Sequence, residues 1–543
     1  MTARIGGFAR VTLGAKSAWL ALCLLGSGAL SPVFALNVDS QHPRIVFHAA
    51  DLATVRARIN GPHAALFDDY YAWAANRLED GRRNSYDADD YAAIYLLTGE
   101  NRFGDAAISI AMDMISRGQD TSGEGDGPAR SSAISLVYDW CYARLSTSQR
   151  STIYAALYPN VNVHPDYHQA WFIRDYNWSY MMAIANDGTA SQNAAVIANL
   201  EESIAQFEDF FIPCLDRSSP ESAIDGYAGL RIMTLLCFVD ALDRSTDYQG
   251  SVLSSNYYRN TGRFWMARMR PDFRWAKMPG KYNTSESEPG AYFSYAGAFL
   301  GDRDAQYMAN LLVNDEGLGG RDATMALAWH DPNAPANPPA GLAKDYYDPV
   351  AGFVLDRSGW TMGSNSSDVT LGFFNGTDQV GHRTQNHFYV TRGDDNLIID
   401  SGHRFHDLAN HYYTYYTRSV AHNTVLIYDP SEDFGSFTNV WGDEIIKPND
   451  GGQTDSDDAA GEARWPECNG LYGYRGEITK YESTSDYVMV EGDATPAYAS
   501  AKTNLVLRRW IYLRPDWIVV QDRVRLNKPN LPVRVVYHSV DQP

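Results

Sequence analysis

Histidine density marks one stretch of this chain. In GHRTQNHFYVTRGDDNLIIDSGHRFHDLANHYYTYYTRSVAHNTVLIYDP, from Gly381 to Pro430, four histidines (His382, His387, His403, His406) and Asp400 crowd into 25 residues, and His411 and His422 follow. Imidazole titrates near neutrality and is a frequent ligand of transition metals, so such a concentration points to metal binding or proton transfer. Placed on adjacent strands, His382, Asp400 and His422 can converge as two nitrogens and a carboxylate with one position open. The alternative is a set of surface-loop histidines. A second stretch, YYRNTGRFWMARMRPDFRWAKMPGKY (Tyr257 to Tyr282), carries seven Arg and Lys against Asp272 alone, with tryptophans, tyrosines and phenylalanines interleaved. Arginines grip carboxylate or sulfate in bidentate fashion and aromatic faces stack on sugar rings, so Arg268, Arg270 and Trp275 are candidate contacts for an anionic glycan. A solvated helix flank with core aromatics is the other reading. The chain has no P-loop, no HExxH, no nucleophile elbow beyond its leader and no dinucleotide fingerprint leading into a helix, which sets aside those chemistries.

The elements that must position these residues fall into two kinds. From Pro43 to about residue 310 the apolar period is helical. In SSAISLVYDWCYARLSTSQRSTIYAALY, for instance, Ile134, Val137, Tyr138, Cys141 and Leu145 share one face, and Ser146 or Ser148 can cap a second helix. DPNAPANPPAG (Asp331 to Gly341) reads as a linker. Beyond it, short β-rich runs such as GFVLDRSGW, DVTLGFFNG, NLIIDSG and LVLRRWIYLRPDWIVVQDRVRL alternate with turn residues, as in an antiparallel sandwich. Helices followed by strands, without alternation, imply two packed units. The expected division is a leader over 1–35, a helical domain over 36–330, a linker over 331–345 and a β-sandwich over 346–543.

The leader carries Arg4, Arg10 and Lys16 ahead of the apolar run Ala18 to Leu30, and Val33-Phe34-Ala35 suits a signal peptidase. Cleavage after Ala35 implies a periplasmic or secreted protein. No later segment is long and apolar enough to span a membrane. The full chain of 543 residues has 45 Lys plus Arg against 66 Asp plus Glu, a formal charge of −21, and loss of the leader's three cations leaves −24. Such an acidic balance argues against nucleic acid and anionic membranes as partners, but not against an anionic substrate in a locally basic cleft. Cys141, Cys214, Cys237 and Cys468 form no CxxC, so a cysteine zinc site is not expected, and either disulfides or buried thiols fit.

HPRIVFHAADLATVRARI, AISLVYDWCYARLS, GFVLDRSGW, IIDSG and YYTRSVAHNTVLIYD together resemble the heparinase II/III-like polysaccharide lyases, over most of the mature chain. The resemblance implies an α+β multidomain fold: an N-terminal incomplete (α/α) toroid followed by a C-terminal antiparallel β-sandwich. It also implies a structural divalent metal, usually zinc, on His382, Asp400 and His422. The family often reads GHxHxD at the first ligand; GHRTQN here lacks the second His and the Asp. RDYNWSYMMAIAND resembles the segment bearing the family's catalytic Asn, which falls on Asn177, with Trp178 beside it for substrate. PESAIDGYAGLRIMTLL resembles the segment supplying the catalytic Tyr, which falls on Tyr227, with Glu221 and Arg231 nearby for substrate, although the usual EG-xx-Y spacing is disturbed. The chain stops just past a strand where the family's sandwich continues, which would leave its last sheet short of strands.

The chemistry so implied is β-elimination on a uronic-acid-containing polysaccharide: heparan sulfate, hyaluronan, chondroitin or alginate. The C5 proton is weakly acidic while its neighbouring carboxylate is anionic, so an amide such as Asn177 must hydrogen-bond that carboxylate as charge builds. Tyr227 takes the proton and returns it to the leaving oxygen, or His382 serves as base with Tyr227 as acid. A toroid glycoside hydrolase using Glu221 and Asp225, or a glycan-binding homologue without activity, are the alternatives.

Overall fold

Helices packed on their neighbours in sequence build the first part of the molecule and two facing sheets the second. The computed structural model describes residues 36–118, 128–161, 177–213, 228–276, 289–315, 318, 320–363, 365–376, 382–401, 410–439, 442–454 and 476–540. Its helices are α1 (Leu52–Ile59), α2 (Ala64–Glu79), α3 (Ser85–Thr98), α4 (Asn101–Ser116), α5 (Pro128–Trp140), α6 (Thr147–Leu157), α7 (Asn177–Ile184), α8 (Ala190–Gln206), α9 (Ala228–Ser245), α10 (Asn256–Arg268), α11 (Pro289–Phe299), α12 (Arg303–Asp315) and α13 (Gly320–Trp329). The periodic face expected there is the buried one, although α5 ends at Trp140: Ile134, Val137 and Tyr138 on the helix and Cys141 and Leu145 in the turn after it are all in the core. Ser146 starts α6 with a capping box, its hydroxyl accepting from Gln149 N–H while the Gln149 side chain accepts from Ser146 N–H.

The HPR motif is an anchor. His42 stacks on Tyr142 and reaches Asp139 Oδ1 at 2.6 Å and Asp187 Oδ2 at 3.1 Å. Asp139 Oδ2 accepts from Arg44 N–H and Ile45 N–H, and the buried Arg44 guanidinium donates to Met182 O, Ala183 O and Ala185 O at the end of α7. A cation there satisfies carbonyls that a helix C-terminus leaves open.

The last helix returns to the first ones, since α13 packs against α1, α2 and α3. A chain of neutral imidazoles closes that junction. His330 Nε2–H donates to Asn310 Oδ1 at 2.8 Å, which leaves its Nδ1 to accept from His63 Nε2–H, also at 2.8 Å. Burial, reinforced by Arg58, lowers His63 to about 4 and, with His63 added, His330 to about 3. The unfolded chain therefore takes up protons first, so the stability this pair confers is complete above the ordinary histidine value and lost as pH falls through it. The melting temperature is expected to drop as pH goes from about 7 to about 4, and to drop less steeply in His63→Gln, which removes one suppressed protonation. Equal slopes in scanning calorimetry would refute this.

Strands β1 (Asp345–Asp348), β2 (Phe353–Arg357), β3 (Val369–Phe374), β4 (His387–Arg392) and β5 (Asp395–Ile398) form one antiparallel sheet in that order. After β6 (Val425–Ile427), β7 (Ser436–Thr438) and β8 (Glu444–Ile446), the strands β9 (Glu477–Ser483), β10 (Tyr487–Asp493), β11 (Thr503–Leu513) and β12 (Trp517–Leu526) form the second sheet, and β13 (Val533–Val535) pairs with β6. Val354, Leu371, Phe373, Phe388 and Val390 from the first sheet pack on Ile478, Val488, Val490, Trp510 and Tyr512 from the second, which makes the β part a sandwich. Strands β2 and β3 are buried along their whole length, and α10 packs against β1 and β2, with Phe264 against Phe353 and Arg357 donating to Met266 O and Met269 O at the helix end. The order of helical region and antiparallel sandwich is the one expected from the sequence. Cys141 is a buried free thiol and Cys237 is buried, while Cys214 and Cys468 lie outside the described residues. Among the described residues no helix is long and apolar enough to cross a membrane.

Candidate functional site in the β-sandwich

Three sequence-distant segments deliver the histidine cluster. His382 lies in the approach to β4, His387 opens β4, Asp400 follows β5, and His422 ends a 3-10 turn (Ser419–Ala421) just before β6. His387 reaches its place through a turn closed by its own N–H on Thr384 O, with Asn386 in the left-handed region at φ 64°. Asn423 explains the AHNT signature. Its amide donates to Phe388 O and Ile399 O, and its Oδ1 accepts from His538 N–H, so one side chain ties β4, β5 and the C-terminal segment together. Arg508 on β11, wholly buried, donates to Asn386 O at 2.7 Å and Asn423 O at 2.6 Å while Asp522 holds its other face. The sequence reading missed this arginine, and only its position in a strand of alternating residues hinted that it points inward.

His422 Nδ1–H donates to Asp400 Oδ1 at 2.7 Å, and His422 Nε2 lies 3.4 Å from His382 Nδ1. Burial alone would raise Asp400, but His422, His387 and His382 outweigh it and hold the carboxyl at about 2. An ionised Asp400 fixes the His422 proton on Nδ1, which turns His422 Nε2 toward His382 as an acceptor. His387 is held down to about 3 by burial, so it stays neutral, and its Nδ1 accepts from Asn423 N–H at 3.0 Å.

This donor set fits a divalent ion. One ligand atom each from His387, Asp400 and His422 lies within 4.8 Å of the others, all three residues being buried. The 3.4 Å between His382 Nδ1 and His422 Nε2 also matches the separation of about 3.3 Å expected of two nitrogens on one tetrahedral zinc. Of the set assigned from the sequence, Asp400 and His422 belong to this group, whereas His382 is placed by its approach to His422 alone. His387, counted in the cluster but given no role, is the added neighbour. Among the described residues its buried Nε2 has no hydrogen-bond partner.

The remaining sequence-assigned residues are placed as follows. Asn177 is the first residue of α7, and Arg231 lies on α9, with neither side chain described; Glu221, Asp225 and Tyr227 lie outside the described residues. Trp178 is buried against Phe238. In the basic stretch, Arg268 is 2% exposed, donates to Ala276 O and lies over the rings of Trp265 and the half-buried Trp275. Arg270 is 5% exposed and donates to Asn396 Oδ1, Asp272 Oδ2 and Asp394 O. Both guanidiniums face the interior, and Arg270 joins the helical region to the β4–β5 turn. Arg270→Ala is accordingly expected to lower the unfolding free energy by about 3 kcal/mol, because it strands Asp272 and two acceptors. Arg274→Ala, whose side chain is 81% exposed, should change it by less than about 0.5 kcal/mol. Equal midpoints in urea would overturn this contrast.

Comparison with known proteins bears on the same region. No curated protein matches the sequence. Among solved structures, a mutant of heparan sulfate lyase HepC from Pedobacter heparinus is 12% identical with a TM-score of 0.49, covering 80% of this chain and 60% of that one. A methylated-lysine form of heparinase III is also 12% identical, with a TM-score of 0.43, 80% of this chain and 62% of that one being covered. The chain therefore spans about 60% of the length of these structures. Residues 349–540, which contain the whole histidine cluster, match the family model described as heparinase II/III-like, C-terminal.

Proposed function

We propose that the protein is an exported polysaccharide lyase that cleaves a uronic-acid-containing polymer by β-elimination. The observation that carries this reading is the buried Asp400–His422–His382 chain inside the stretch that matches the heparinase II/III-like C-terminal family model. In this mechanism Asn177 hydrogen-bonds the C5 carboxylate and stabilises the enolate-like charge, and Tyr227 removes the C5 proton and delivers it to the departing C4 oxygen. Asp400 orients His422, which orients His382. With Nδ1–H given to His422, His382 keeps its lone pair on Nε2, the form required of a base. A divalent ion, zinc by the chemistry of its donors, would take the place of the His382–His422 hydrogen bond, held by His422 with Asp400 and His382 or His387, and would act structurally by cross-linking the start of β4, the end of β5 and the turn before β6.

The substrate is an anionic glycan such as heparan sulfate, hyaluronan, chondroitin or alginate, met in the periplasm or outside the cell. Incubating the purified protein with each polymer and following the ultraviolet absorbance of unsaturated uronates tests the reading. A rise with one polymer supports it. Saturated reducing ends without that absorbance would replace it with a hydrolase.

A further inference from the structure

We propose that the aromatic turn His411–Tyr416 is a carbohydrate-stacking subsite adjoining the histidine cluster, a step that rests on the polysaccharide reading above. The segment HYYTYY is a π-helical turn over Tyr412–Tyr416, an irregular winding closed by Thr417 N–H on Tyr412 O. Such turns cost regular hydrogen bonding and recur where side chains must be re-aimed. Here the winding displays rings at nearly every position. His411 is exposed, Tyr413, Tyr415 and Tyr416 are partly exposed, and Tyr412 is buried. His411 lies flat on Tyr415, with centroids 5.2 Å apart and planes 9° apart, and meets Tyr416 edge-on at 4.7 Å. Tyr413 and Phe437 continue the surface, edge-to-face at 4.6 Å, with the buried Tyr412 backing Tyr413 at 4.8 Å and Lys447 over the ring of Phe437.

The turn is coupled to the histidine cluster at three points. Tyr412 packs edge-on against His382, the Tyr415 hydroxyl hydrogen-bonds Ser401 Oγ beside Asp400, and Arg383 N–H donates to Thr417 O. A core would bury such rings, and a merely solvated turn has no use for so many. Rigid aromatic faces with polar rims suit the apolar face of a pyranose, whose hydroxyls and carboxylate then point to the phenolic oxygens, His411 and Lys447. The occupant is thus one sugar ring of the polymer bound next to the cluster.

Native gels cast with heparan sulfate, hyaluronan or alginate test this, with His411→Ala, Tyr416→Ala, Tyr416→Phe and, as control, Trp517→Ala on β12, which is 73% exposed in the other sheet. Loss of one stacking ring should weaken retardation, and raise KM with little change in kcat, by roughly three- to tenfold, while Tyr416→Phe keeps the ring and most of the binding. Trp517→Ala should run as wild type. If the wild type forms unsaturated product yet His411→Ala and Tyr416→Ala keep its retardation and KM, the subsite is overturned and the lyase reading stands. If no unsaturated product forms but retardation is lost in those two variants, the subsite stands and the lyase reading falls. A wild type that none of the polymers retards overturns the subsite.

Discussion

Replacing Tyr227 by Phe is expected to lower the lyase kcat by between about a hundredfold and ten-thousandfold, with KM nearly unchanged. The phenylalanine ring keeps whatever packing the tyrosine has, so only the phenolic oxygen is lost, and that oxygen acts twice: once to take the proton from C5 and once to give it to the leaving oxygen. Asn177→Ala should also be severe, by about a hundredfold to a thousandfold, because the carboxylate's developing charge then loses its donor. The comparison that decides between bases is with His382→Ala. If Tyr227→Phe retains most of the rate and His382→Ala abolishes it, the proton leaves through His382, with Asp400 and His422 as its support. Initial rates of unsaturated-product formation at saturating polymer separate these outcomes. A Tyr227→Phe enzyme at wild-type rate would remove tyrosine from the chemistry.

Periodicity made much of the fold legible. The apolar face of α5, the Ser146 cap and the alternation of β10 and β11 are local properties, each specified within a few residues by side-chain spacing and capping chemistry. The histidine site was legible in part, because IIDSG and AHNT are compact signatures of a strand end and a turn. Its internal arrangement was not. Between His382 and His387 the chain makes a turn with a positive φ at Asn386, so no strand alternation relates the two histidines. The basic stretch shows the same limit more sharply. Composition reports seven cations but not their partners, and Arg270 finds Asn396 across 126 residues of sequence. A long arginine stem can pass through the interior and still satisfy its head, so exposure is decided by tertiary neighbours rather than by local charge.

Removing the Asp400 carboxylate should be the most damaging single change in the sandwich. Asp400 is buried and held ionised by the histidines around it, and His422, fully buried, relies on it for its Nδ1–H. Truncation leaves a buried imidazole donor without its acceptor, and breaking such a pair from one side costs about 3–5 kcal/mol. Asp400→Ala is therefore expected to shift the urea midpoint well below wild type, and His422→Ala to do nearly the same. Because the two residues act as a unit, the double variant should cost much less than the sum. The same variants discriminate between a bare hydrogen-bonded chain and a metal centre. If zinc cross-links these strands, elemental analysis of the wild-type protein finds close to one equivalent, prolonged chelation reproduces most of the Asp400→Ala shift, and added zinc restores it. If the cluster works without metal, chelation leaves the wild-type midpoint where it was and the whole cost of Asp400→Ala belongs to the broken hydrogen bond. An Asp400→Ala protein as stable as wild type would contradict both, since neither a metal ligand nor the sole acceptor of a buried imidazole can be lost without cost.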